Sequence, residues 1–147
     1  MEQFRRRYIR YLKLERNYTA NTIEAYTHDL DYLLNFMRCE NLSVYDIRLS
    51  HLETFAATIH EFGVSATSQA RILSGIRAFF RFLVLDGVLT DDPAELLESP
   101  SIGEHLPEVL STEEVDRMER AIDLSKWEGQ RNRAIIEVLF SCGLRVS

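Results

Sequence analysis

Four groups of side chains in this chain have types and spacings that could hold a phosphate. Arg71, Ser74, Arg77 and Arg81 recur at intervals of three and four residues. In a helix that spacing lines cations and a hydroxyl along one face. Such a row suits phosphate oxygens and base edges in a groove. It equally describes the wet face of an ordinary amphipathic helix, and the residues by themselves favour that plainer reading. Thr19, Asn21 and Thr22 stand where a helix should begin. Free backbone amides and the helix dipole favour an anion there, although simple capping explains Thr19 just as well. Arg145 follows Gly143-Leu144, past an apolar run closed by Val138-Leu139-Phe140. Taken alone it is a solvated arginine near a helix end. The cluster Arg5, Arg6, Arg7, Arg10 and Lys13 either meets phosphates or keeps the first helix soluble.

The chain has 147 residues and a formal net charge of -6. An acidic sum argues against nucleic acid, but binding depends on where charges sit rather than on their total. Asp29, Asp31, Glu40, Asp91, Asp92, Glu113, Glu114 and Asp116 carry much of the negative charge, and most are expected away from the face of Arg71 and Arg81 or near a linker. No run approaches the roughly 18 apolar residues of a membrane span, and the N-terminus lacks an apolar signal core. Cys39 and Cys142 are too few for a disulfide framework or metal site, and His28, His51, His60 and His105 show no ligand spacing. No metal is assigned, and a reducing cytoplasm is the expected compartment.

The elements that must position these groups are helical. Glycine and proline are scarce and apolar residues recur at helical spacing, which predicts an all-α fold. Phe4, Tyr8, Tyr11 and Leu12 mark the inward face of a first helix over residues 2–16. A second, capped by Thr19, runs to about Arg38 with Ile23, Tyr26, Leu30, Leu33, Leu34 and Met37 inward. Ser50 with Glu53 reads as a capping box for a third helix ending at Gly63. Ser65 opens the longest helix, to about Asp86, with Ile72, Leu73, Ile76, Phe79, Phe80 and Leu83 inward. Asp92-Pro93 predicts a short helix with proline in its first turn. Residues 98–107 lose periodicity and read as a linker. Ser111 with Glu114 opens a sixth segment to about Ile122, and a last helix spans about 128–141, with Trp127 expected to pack its start. Gly143 is expected to end that helix.

Several segments in order resemble the tyrosine recombinase family, in its Xer-type branch. They are Asn17-Tyr18-Thr19-Ala20-Asn21-Thr22-Ile23-Glu24-Ala25-Tyr26, the run Arg71 to Phe80, Asp92-Pro93-Ala94, Leu106 to Ser111, and Arg131-Asn132-Arg133-Ala134 through Gly143-Leu144-Arg145-Val146-Ser147. The resemblance implies a SAM-like helical core-binding domain over residues 1–98, of four main helices plus a short fifth. A linker over 99–110 and the opening of a catalytic domain over 111–147, two helices long, would follow. The implied chemistry is attack on a DNA phosphodiester through a phosphotyrosine intermediate, then religation, without metal, nucleotide or other cofactor.

Within that chemistry Arg145 corresponds to the first catalytic arginine, whose fork would meet two non-bridging oxygens of the transition state. The family's lysine on a β-hairpin, His-x-x-Arg box, further His or Trp, and tyrosine nucleophile do not occur here, so this chain is expected to be inactive by itself. The resemblance also implies that the second and fourth helices face the major groove, with Thr19, Asn21, Thr22, Arg71, Ser74, Arg77 and Arg81 as DNA contacts. The implied partners are double-stranded DNA and, in the intact protein, a recombinase tetramer on two sites, with no membrane or small-molecule substrate. The chain begins directly with the first core-binding helix, which favours chromosome-dimer resolution over an integrase reading separate arm sites. The rivals are a non-enzymatic helical protein-interaction module and a repressor-like reader in which residues 1–100 suffice.

Overall fold

A computed structural model describes residues 2–103 and 109–145. His105, Leu106, Pro107, Glu108, Val146 and Ser147, which figure in the expectations above, lie outside the described residues. Six helices form: α1 (Glu2–Leu14), α2 (Ala20–Cys39), α3 (Leu49–Glu61), α4 (Ala66–Leu85), α5 (Thr112–Arg120) and α6 (Trp127–Cys142), with no strand among the described residues. None of these helices is long and apolar enough to cross a membrane. The chain divides into two compact units, Met1–Gly103 and Glu104–Ser147.

In the first unit, α1 to α4 close around one core. Phe4, Tyr8 and Leu12 are buried on α1, and Leu30, Leu33 and Met37 on α2. Leu52, Phe55 and Ile59 are buried on α3. On α4, Ile72, Leu73, Ile76, Phe79, Phe80 and Leu83 all turn inward, as their period requires. Phe82 is also buried, because α1 supplies Tyr8 and Tyr11 against its ring at 5.3 and 5.0 Å between centroids. Burial pushes the Tyr8 hydroxyl far above the usual tyrosine range.

Three local expectations change. Helix α3 begins at Leu49 rather than after Ser50, since Leu49 packs against the core and draws the first turn forward. Arg48, in extended backbone, is the N-cap, and its amide donates to His51 Nδ1 at 3.1 Å, so Ser50 and Glu53 form no capping box. The segment from Asp92 to Leu97 makes successive turns instead of a fifth helix, with Glu95 N–H on the Asp92 carbonyl and Leu97 N–H on that of Ala94. Asp92 Oδ1 also accepts from the Ala94 amide at 2.8 Å, fixing an Asx-type turn that competes with a helical start.

The second unit is thinner. Ser111 caps α5 and Glu114 returns a bond to the Ser111 amide at 2.8 Å, completing the predicted capping box. Gly143, at φ 60°, ends α6 in the left-handed conformation. Val115 and Gly129 are its buried residues among those described. A Cβ on Gly129 would stand 1.9 Å from the Asp123 carbonyl oxygen, so only glycine fits that crossing. Trp127 is exposed and lies beneath the Arg131 guanidinium, 5.0 Å from its ring centre, instead of packing into a core.

Candidate nucleic-acid interface

Helices α2 and α4 pack directly on each other, so their polar faces adjoin. At one end of that seam Asn21, Glu24, Ala25 and His28 of α2 and Arg71 of α4 line a shallow open hollow. The N-terminus of α2 stands beside it. Thr19 caps that end: its Oγ1 accepts from the Thr22 amide at 3.4 Å and meets the Thr22 hydroxyl at 2.9 Å. Two of the three N-terminal candidates are therefore occupied with the helix end itself, and Asn21 is exposed to solvent. Arg16, absent from the expected set, also stands near this end and donates to the Tyr18 hydroxyl at 3.2 Å. That bond lowers the Tyr18 ionisation below its ordinary value.

Arg71 is not free. Its Nη1 donates to Oδ2 of Asp29 at 2.8 Å, and its Nη2 lies 2.7 Å from Oδ1 in ion-pair contact. The Asp29 side chain is 3% exposed and that of Arg71 51%, so the carboxylate is sunk between the helices while the guanidinium reaches the surface. Burial raises the Asp29 carboxyl above the ordinary value, and the bond and charge of Arg71 only partly oppose this. Most of the acidic residues are expected away from the fourth-helix face or near a linker, but Asp29 lies against that face. The reason is its place one residue before Leu30 on the inward stripe of α2, facing α4. Its signal in the sequence was Gly75, a glycine inside a long helix, which normally marks close approach of another element. A Cβ on Gly75 would stand 2.7 Å from Asp29 Oδ2 and 3.0 Å from Asp29 Cβ.

The other cations of α4 have separate surroundings. Ser74 is exposed between them. Arg77 is half-buried and donates to the Leu97 carbonyl at 2.8 Å and the Ser99 hydroxyl at 2.9 Å. Its guanidinium ties the exit segment to α4. Arg81 is exposed, lines a second hollow with Arg77, Asp92 and Glu95, and has no ion pair among the described residues. The row predicted as a single face thus resolves into a paired, a tethering and an unpaired arginine.

The arginines of α1 divide similarly. Arg5 grips Asp31 of α2 through Nε at 2.9 Å and Nη2 at 3.2 Å, and this bond raises its already high pKa. Arg7 pairs with Asp86 at the end of α4. Both join helices, a role that neither phosphate binding nor solubility anticipated. Arg10 and Lys13 are exposed. In the second unit Arg145 is exposed, two residues past the α6 C-cap.

Residues 6–87 match the family described as phage integrase, N-terminal SAM-like domain. Tyrosine recombinase XerD of Proteus mirabilis is 37% identical over 134 residues, which cover 91% of this chain and 43% of that protein. Tyrosine recombinase XerC of Pseudomonas syringae pv. tomato is 36% identical over 151 residues, covering 100% of this chain and 50% of that one. The chain spans about half the length of the curated relatives it matches. An integrase from mycobacterium phage Brujita shares the fold with a TM-score of 0.62 at 14% identity, over 82% of this chain and 40% of that chain. With its α1 to α4 region matched along nearly its whole length, and more than half of the chain with it, this protein belongs to the phage integrase family through an N-terminal SAM-like domain.

Proposed function

We propose that this chain is the DNA-binding part of a Xer-like tyrosine recombinase. It would hold double-stranded DNA in the cytoplasm while a longer protein cuts and rejoins strands at a specific site. The observation that carries the reading is the packing of α2 on α4, which sets the polar face of each beside that of the other within the matched family region. An edge built from two helices can enter a major groove or straddle its phosphates. Thr19, Asn21, Thr22, Arg71, Ser74, Arg77 and Arg81 are the proposed contacts. Arg145 is proposed as the first catalytic arginine, one of a set whose other members this chain does not contain. In the intact protein the proposed assembly is a tetramer on two DNA sites, in chromosome-dimer resolution or element integration.

The test is binding of the 147-residue chain to a fluorescent duplex across a salt series. Affinity should be weak and should fall steeply with salt, because phosphate contacts release counterions. Affinity indifferent to ionic strength would favour the rival, a protein-interaction module. Ile135, Val138 and Phe140, about half exposed on α6, are what recommend that rival. Incubated with a nicked duplex, the chain should give no covalent adduct on a denaturing gel; an adduct would overturn the expectation of inactivity.

A further inference from the structure

We propose that Asp29 is a positioning residue which turns Arg71 from a neutraliser of phosphate into a reader of base edges. The inference rests on the DNA-binding reading above and deepens it. Asp29 holds one edge of the guanidinium from beneath, through the 2.8 Å bond and the 2.7 Å contact. A guanidinium carries five N–H donors in a fixed fork, so most remain for a ligand on the outer side. Anchoring the inner edge removes rotamer freedom before binding, which is the general route to directional recognition.

The electrostatics point the same way. The pair is net neutral, so an approaching phosphate meets the Asp29 charge immediately behind the Arg71 charge. Glu24 lines the same hollow and adds to the repulsion. A guanine edge, which offers neutral acceptors, suffers far less from that carboxylate and still gains the fork geometry. Asn21 and His28, also lining the hollow, are groups that hydrogen-bond base edges rather than neutralise charge. The arrangement also explains Gly75. A glycine inside α4, one turn beyond Arg71, weakens the helix, yet any larger residue would displace the carboxylate. Arg81 is the internal contrast: Asp92 and Glu95 line its hollow, but no carboxylate among the described residues pairs with it, so its exposed charge is left for a phosphate.

The experiment compares the 147-residue chain with Arg71→Ala, Asp29→Asn, Arg71→Ala/Asp29→Asn and Arg81→Ala, each checked for folding by circular dichroism. One probe is a fixed duplex of arbitrary sequence titrated with salt. The other is a duplex pool with a randomised centre, from which bound molecules are sequenced. Arg81→Ala should reduce the salt slope by about 0.9 and leave base preferences intact. Arg71→Ala should flatten the preference at one or two adjacent positions, and the double variant Arg71→Ala/Asp29→Asn, which removes the neutral pair whole instead of leaving Asp29 unpaired, should flatten the same positions with the slope unchanged. Asp29→Asn should flatten the same positions while steepening the slope and tightening the fixed duplex several-fold, since Arg71 is then released as a free cation.

A loss of slope in Arg71→Ala/Asp29→Asn equal to that of Arg81→Ala overturns the proposal. So does an Asp29→Asn base profile identical to the parent's. Should Asp29→Asn not fold, Arg71→Ala decides through its base profile, and a profile as sharp as the parent's overturns the proposal. A parent chain that binds with salt dependence but no base preference sinks this inference and leaves the DNA reading standing. A parent chain with no salt-dependent affinity sinks both.

Discussion

The two ends of α4 carry the same residue type on the same face, and their neighbours give it different tasks. At the N-terminal end Arg71 meets Asp29, a carboxylate rising from α2 through the space left by Gly75. At the C-terminal end Arg81 stands exposed with no ion pair among the described residues, in a hollow it shares with Arg77. Between them Arg77 spends its donors on the Leu97 carbonyl and the Ser99 hydroxyl. A count of cations on a helix face is therefore a poor measure of its electrostatic footprint. What packs behind each cation decides whether it offers charge, direction or a tether.

The contrast breaks most sharply at Gly75. Alanine there should cost about 1–2 kcal/mol net in urea unfolding, because the clash with Asp29 outweighs the ~1 kcal/mol that alanine gains over glycine in a helix. The cost should shrink when Asp29→Ala is combined with it, which a double-mutant cycle measures. An unchanged cost would mean that the crossing, and not the carboxylate, is what needs glycine. Next comes charge reversal at the open end. Arg81→Glu should weaken duplex binding roughly tenfold at low salt, with the gap closing as salt rises, and should leave the melting temperature nearly unchanged. A loss that persists at high salt would assign Arg81 something other than phosphate.

Arg77→Ala should cost about 1 kcal/mol, the scale of its lost hydrogen bonds, and should speed limited proteolysis between residues 97 and 103. Equal proteolysis rates would remove the tether from the account. The smallest effect is a pH dependence from Asp29. Its folded carboxyl titrates above the ordinary 3.8 because burial outweighs Arg71. As pH falls toward 3.8 the folded state therefore takes up a proton before the unfolded chain does, and stability rises relative to Asp29→Asn. Above the folded value that gain is gone. Parallel denaturation midpoints for the two proteins across this window would show that the carboxyl is not perturbed in this sense.

Much of the fold is legible in the sequence. The inward stripe of α4, the Thr19, Ser65 and Ser111 caps and the Gly143 helix end all follow from local spacing and local backbone chemistry. The Ser50 capping box was not, because Leu49 joins the core and moves the helix start by packing. The candidate face was legible as a list of residues but not as a surface. Arg5 and Arg7 looked like free cations until Asp31 and Asp86 arrived from other helices. Ile135 and Val138 are apolar, yet they stay half exposed among the described residues, which their place in a helix does not decide.

The sequence by itself determined the helices, their inward faces and the row from Arg71 to Arg81, since all of these are properties of residues within a few positions of each other. The tertiary structure alone decided which of those arginines has a carboxylate against its charge. Pairing between Asp29 and Arg71 spans 42 positions and two helices. No local period encodes such a contact, and a charge separated from its partner by a few ångströms behaves differently from the same charge in water.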